Sequence, residues 1–190
     1  GSTFKKIYYD QTMARAVSKF VPADELVVPY TATSLDDAQS IIHVIKMPEN
    51  ELRKQQVSGF YRDVDLGPPG RVETNPVVKK ERELEGTKAT GKPQAIYTLL
   101  ECHVNLDLEG FEEVGADGQP TGIKLPYIVT IDESTRTVLS IRRNYAPDDP
   151  KKNKIQYFVH FKFLPGLGFY GFGLIHMIGG LSRTATSALR

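Results

Sequence analysis

The stretch Ile96-Tyr97-Thr98-Leu99-Leu100-Glu101-Cys102-His103-Val104-Asn105-Leu106-Asp107-Leu108-Glu109 decides the fold class. Ile96, Thr98, Leu100, Cys102, Val104, Leu106 and Leu108 alternate with Tyr97, Glu101, His103, Asn105, Asp107 and Glu109. Successive strand residues point to opposite faces, so this period of two predicts one long strand that buries its even-numbered face. More strands follow. Tyr127 to Ile131 and Val138 to Tyr145 flank a tight turn at Asp132 to Thr135. A loop rich in Pro, Asp and Lys then leads to Ile155, Tyr157, Val159, Phe161 and Phe163, which alternate with Gln156, His160 and Lys162. Sequential strands with short turns imply an antiparallel sheet.

Upstream, Phe4 to Tyr9 and Ala16 to Val21 read as a strand pair turning through Asp10 to Met13, with a further apolar run at Leu26 to Tyr30. Ser34 and Asp37 have the spacing of a capping pair, and Ile41 to Met47 is a compact strand. Two short helices follow. Pro48 to Ser58 has Pro48 placed for a first turn and Gly59 for the C-terminal cap; the other starts at Asn75-Pro76 and runs to Gly86, its many charges reading as a solvated face. From Leu174 the residues Leu174, Ile178, Leu181, Ala185 and Leu189 recur at helical spacing with no stop signal after them, which predicts a helix continuing in a longer chain. The expected fold is α+β: β-rich, a mainly antiparallel meander sheet with short helices and a C-terminal helix, forming a single domain over residues 1–190.

Composition narrows the class. The 190 residues are 40% hydrophobic and 25% charged with a formal charge of +1, which excludes the low hydrophobicity and high net charge of a disordered chain. A chain of this length can bury a core without metals or disulfides, and the single cysteine, Cys102, allows no internal bridge. Lys5, Lys6, Tyr8 and Tyr9 stand where a signal peptide has its apolar run. Near-neutrality is nevertheless a cancellation. Between Glu101 and Glu133 eight acidic residues stand against Lys124 alone, giving −7, and from Ser134 to Arg190 nine basic residues stand against Asp148 and Asp149, giving +7. The basic group includes Arg142, Arg143, Lys151, Lys152, Lys154 and Lys162, a candidate face toward DNA or toward an acidic face on another subunit.

No catalytic or metal spacing emerges. Cys102 and His103 are adjacent, so on a strand they point to opposite faces and form no dyad; the sequence reads as a buried small hydrophobe beside a surface imidazole. His43, His160 and His176 lie far apart, without metal-binding spacing, and Asp36-Asp37, Glu112-Glu113 and Asp148-Asp149 fall in polar turns. Gly166-Leu167-Gly168-Phe169-Tyr170-Gly171 is a literal G-x-G-x-x-G, but no acidic residue follows Asp149 and the preceding strand belongs to an antiparallel run, so no dinucleotide cofactor is expected. From Phe163 to Ser182 there is no charge, yet Pro165 and six glycines interrupt the stretch and argue against a membrane span. Glycines interleaved with aromatics fit close backbone packing, within the fold or against another subunit; Leu164, Phe169, Tyr170, Phe172 and Ile175 are the candidate subunit contacts.

Four stretches carry a resemblance: Phe20-Val21-Pro22-Ala23-Asp24-Glu25-Leu26-Val27-Val28-Pro29-Tyr30, Gly59-Phe60-Tyr61-Arg62-Asp63-Val64, Leu125-Pro126-Tyr127-Ile128-Val129-Thr130 and Phe163-Leu164-Pro165-Gly166-Leu167-Gly168-Phe169-Tyr170-Gly171-Phe172-Gly173. Together they resemble the portal proteins of short-tailed bacteriophages and related prophages. The likeness spans essentially the whole chain, on structural motifs without a catalytic signature. It implies a non-enzymatic subunit of a dodecameric head-tail connector ring at one capsid vertex of the virion, assembled in the bacterial host cytoplasm. Such a ring docks the terminase, contacts capsid and scaffolding proteins, holds the tail adaptor proteins and passes double-stranded DNA without sequence specificity. Family members are longer, so the resemblance places this chain in the wing region, with residues 174–190 starting a helix toward the stem. The alternative is a β-rich ligand- or carbohydrate-binding module without catalysis, for which a concave aromatic pocket is expected. An enzyme working through Cys102 or His160 has the least support.

Overall fold

In a computed structural model the described residues are 1–10, 14–69, 80, 84, 95–115 and 117–189. They form eight strands: β1 (Ser2–Asp10), β2 (Arg15–Val21), β3 (Leu26–Val27), β4 (Ser40–Pro48), β5 (Ile96–Leu106), β6 (Leu125–Asp132), β7 (Val138–Arg143) and β8 (Phe158–Lys162). Helices α1 (Glu49–Val57) and α2 (Leu174–Ala188) complete the α+β, β-rich architecture. The helix expected over Asn75 to Gly86 lies outside the described residues except for Lys80 and Leu84, both helical.

One sheet has the order β3-β4-β5-β6-β7, the sequential order of a meander; the other has the order β2-β1-β8. In the latter both pairings are antiparallel, with Phe4 opposite Val21 on one side and His160 on the other. The last strand therefore leaves the meander and pairs with the first.

The chain divides into two compact units. The first comprises Gly1–His43, Cys102–Ile128 and Arg143–Arg190, and the second Val44–Glu101 and Val129–Arg142. Phe4, Val21, Leu26, Ile41, Phe158 and Phe169 centre the first core. Leu52, Tyr61, Leu66, Tyr97, Leu99 and Leu139 form the second.

Local chemistry explains the element ends. Pro48, extended at φ −62°, caps the start of α1, and Ser58 and Gly59 close its other end. The Gly59 N–H donates to the Gln56 carbonyl and the Phe60 N–H to that of Gln55, both at 3.0 Å, while Gly59 adopts φ +75°. That is a Schellman stop, which requires a left-handed residue. Leu52 and Gln56, one turn apart, are the buried residues of α1. Gln56 is tolerated inside because its amide donates to the carbonyls of Val64 at 2.9 Å and Arg62 at 3.3 Å. Between β6 and β7, Asp132 accepts the Thr135 N–H at 2.8 Å and the Ser134 hydroxyl at 2.6 Å, a turn built on an aspartate side chain. Asp37 does the same for the Ser34 N–H at 2.8 Å while Ser34 Oγ accepts the Asp37 N–H at 3.3 Å. This is the reciprocal capping pair expected from their spacing, here closing a turn.

Two strands bury the face opposite to the one expected. On β5 the buried residues are Tyr97, Leu99, Glu101 and His103, whereas Ile96, Thr98, Leu100, Cys102, Val104 and Leu106 are half-buried. On β8, Phe158 is buried, whereas Val159 and Phe161, and Phe163 just beyond the strand, are exposed. Long-range pairing decides this. Because Phe158 pairs across to Lys6 beside the first core, its face turns inward and the more apolar face turns out.

The helix α2 has no buried residue. Its fifteen residues are near the lower limit for an isolated helix in water, and Gly179 and Gly180 each cost about 0.8–1.0 kcal/mol relative to alanine.

Candidate functional site

The glycine-aromatic segment is a closed loop. Leu164 and Phe172 form an antiparallel bridge, with the Phe172 N–H donating to the Leu164 carbonyl at 2.8 Å. Two glycines make that closure possible: a Cβ on Gly166 would stand 2.6 Å from the Tyr170 carbonyl oxygen, and one on Gly171 would stand 2.6 Å from that of Leu164. Two glycines of the G-x-G-x-x-G pattern are thus used on the chain's own backbone. Gly168, between them, has open space around it.

The five candidate contact residues separate into two groups. Phe169 is 7% exposed and stacks on His160 at 4.8 Å and Phe4 at 5.9 Å, so it belongs to the first unit's own core. Leu164, Tyr170, Phe172 and Ile175 are exposed, Ile175 at 80%. Tyr170 sits edge-on to Phe169 at 5.1 Å and Phe172 lies over His176 at 5.4 Å. The loop is therefore anchored by one aromatic and presents the others.

Most of the candidate basic residues have partners within the chain. In the second unit, Arg142 stacks over the Phe60 ring at 4.1 Å. In the first, Arg143 lies 5.9 Å from the Phe111 ring, Lys152 forms an ion pair with Glu113, and Lys154 donates to the carbonyls of Leu35 at 3.3 Å and Ala38 at 3.4 Å. Lys151 is exposed and Lys162 half-buried opposite Ser2. The acidic block is likewise partly consumed: Glu101 and Asp132 are buried, and Glu113 meets Lys152 within the chain.

Imidazoles take structural places that residue spacing does not reveal. His103, expected at the surface, is 4% exposed and edge-on to Phe158 at 5.2 Å; His43 approaches the same ring at 5.6 Å. Cys102, expected to be buried, is half-buried. His160 lies between Phe4 and Phe169, and burial, assisted by the Lys162 charge, holds its pKa below 6.5. Among the described residues no three His, Cys, Asp or Glu side chains cluster as metal ligands, and no helix is long and apolar enough to cross a membrane.

The second unit holds a buried polar group that the sequence did not announce. Tyr61 is 5% exposed, and burial, then the Glu101 charge, pushes its pKa up to about 12 against the opposing effects of Arg142 and the Thr130 hydroxyl. The same unit carries an open cleft of about 270 Å³ with Leu52, Leu66 and Tyr97 in its lining and Glu49, Arg53 and Asp63 beside them. Arg53 is paired with Asp63 there. Tyr97 is the aromatic side chain in the lining of this cleft.

Many large apolar side chains are exposed. The outward face of β2-β1-β8, the rim of the closed loop and the whole of α2 expose large hydrophobic side chains, including Phe20, Phe161, Tyr170, Ile178 and Leu181. No known family model matches the chain, and no curated protein matches it significantly.

Proposed function

We propose that this chain is a non-catalytic structural part of a bacteriophage portal subunit, acting by self-association into a ring through which double-stranded DNA passes. The observation that carries the reading is α2: fifteen residues, none buried, with Leu174, Ile178, Leu181 and Ala185 on one stripe. An amphipathic helix with an empty apolar face needs a partner to exist. The resemblance of the four quoted stretches to portal proteins says what kind of assembly supplies it. In that reading the ring sits at the capsid portal vertex of the virion, after assembly in the host cytoplasm with capsid and scaffolding proteins. It docks terminase during packaging and tail adaptors afterwards.

The electrostatics fit a conduit better than a reader of sequence. Of the candidate basic residues, Arg142, Arg143, Lys152 and Lys154 have intramolecular partners, which leaves little for tight phosphate contact. Weak contacts without base readout are what sliding DNA requires. Negative-stain electron microscopy of the purified protein tests the reading. Rings with a central channel are expected; single compact particles at every concentration would refute it.

A further inference from the structure

We infer that the outward face of the three-stranded sheet is the seat of α2 from a second copy of this chain. The inference rests on the proposed self-association and adds which two surfaces meet.

The register defines the face. Lys5 stands opposite both Phe20 and Val159, and directly opposed residues of antiparallel strands share a side. Ile7, Tyr9 and Phe161 join them by the period of two, and Phe163 continues the row. Ile7, Tyr9, Phe20, Val159, Phe161 and Phe163 are between 41% and 62% exposed. A whole aromatic side chain buries roughly 150–250 Å², so four half-exposed aromatics offer about 400 Å² before Ile7 and Val159 are added. That is about half of the roughly 800 Å² per partner of a stable interface, supplied by side chains of one sheet face alone.

The helix matches it in length and, apart from Lys5, whose ammonium lies 5.7 Å from the Phe161 ring centroid, in polarity. No charged residue occurs from Phe163 to Ser182, and on α2 Arg183 and His176 lie on the side opposite the Leu174-Ile178-Leu181 stripe. Fifteen residues at about 1.5 Å each give a rod of about 22 Å, which fits along a nine-residue strand of about 30 Å. The helix of the same chain does not fill the seat, because every residue of α2 is solvent-exposed or outside any core. Its point of departure is held by the Leu164–Phe172 bridge, by Phe172 over His176 and by the Gly173 N–H donating to His176 Nδ1 at 3.2 Å. A contact between two different patches of one chain is heterologous, and it forms a ring when the rotation between neighbours closes.

Directed cross-linking tests the pairing. In a Cys102→Ser background, chains carrying Phe20→Cys are mixed with differently tagged chains carrying Ile178→Cys and treated with a short bis-maleimide. A product of the summed mass is expected, and it should be absent when Val57→Cys, a 75% exposed position of the second unit, replaces Phe20→Cys. Circular dichroism of each variant confirms that the folds are retained. No mixed product above that control overturns the inference, as does an intrachain link in a chain bearing both cysteines when the mixture gives none. If the unmodified protein forms rings while the mixture gives no product, the pairing fails and the assembly reading stands; if neither is seen, both fail.

Discussion

His160 stacks on Phe4, with ring centroids 4.4 Å apart and planes inclined by 30°. The pair joins the last strand to the first, and Phe169 covers the other side of the imidazole at 4.8 Å. Burial favours the neutral form of this imidazole, with Lys162 reinforcing the effect. The folded pKa lies below the unfolded value of 6.5, so the unfolded state binds more protons in the interval between them. The stabilisation is complete above pH 6.5 and is lost as pH falls through the folded value. Thermal melts from pH 7.5 to 5 should show a decline in Tm that is shallower in His160→Phe; equal slopes would contradict the assignment.

Asp37 supplies a second titration at the opposite end of the scale. Its carboxylate accepts the Thr33 hydroxyl and the backbone N–H groups of Ser34 and Thr33, which lower its pKa to about 2. Because the folded value is depressed, the turn is stabilised above the ordinary value of 3.8 and loses that support as pH falls toward 2. Carboxyl-carbon NMR should give a midpoint near 2, and Thr33→Val, which deletes the largest contributor, should move it upward.

The closed loop distinguishes its glycines. Gly171→Ala places a methyl 2.6 Å from a backbone carbonyl, and Gly166→Ala does the same, so each should destabilise by about 1–3 kcal/mol. Gly168→Ala enters open space and should stay within about 0.5 kcal/mol of the parent. A calorimetric series on the three variants reads the difference directly.

Phe169 and its neighbours should separate stability from assembly. Phe169→Ala removes a buried ring and should cost about 3–5 kcal/mol. Tyr170→Ser and Phe172→Ser remove side chains that are 48% and 40% exposed, so their Tm should change far less. If the rim of the loop is a subunit contact, those two variants weaken self-association while remaining folded, as sedimentation and calorimetry together would report.

Much of the fold was legible in local chemistry. The β1–β2 pair, β4, the span of α1 with its glycine stop and the β6–β7 turn at Asp132 follow from alternation, caps and turn residues acting over a few positions. The inward face of β5 and β8 was not legible. Counting apolar residues selects Cys102 and Phe161 for burial, yet His103 and Phe158 face the core, because β8 pairs with β1 and brings an aromatic ring against two imidazoles. Local pattern holds no information about that distant pairing. The same mismatch leaves Val159, Phe161 and Phe163, which have the pattern of buried residues, exposed to water. Of the candidate contact residues, Phe169 was indistinguishable from Phe172 in sequence, since both follow a glycine in the same run and only the fold shows which ring turns inward.

Self-association through the unburied apolar surface is the central claim, and sedimentation velocity of the protein beside a Leu174→Ser, Ile178→Ser, Leu181→Ser variant tests it most directly. The account predicts that the parent forms a discrete large oligomer as concentration rises, while the variant, with its sheets intact by circular dichroism, remains monomeric. A parent that stays monomeric throughout, or a variant that assembles equally well, would contradict it.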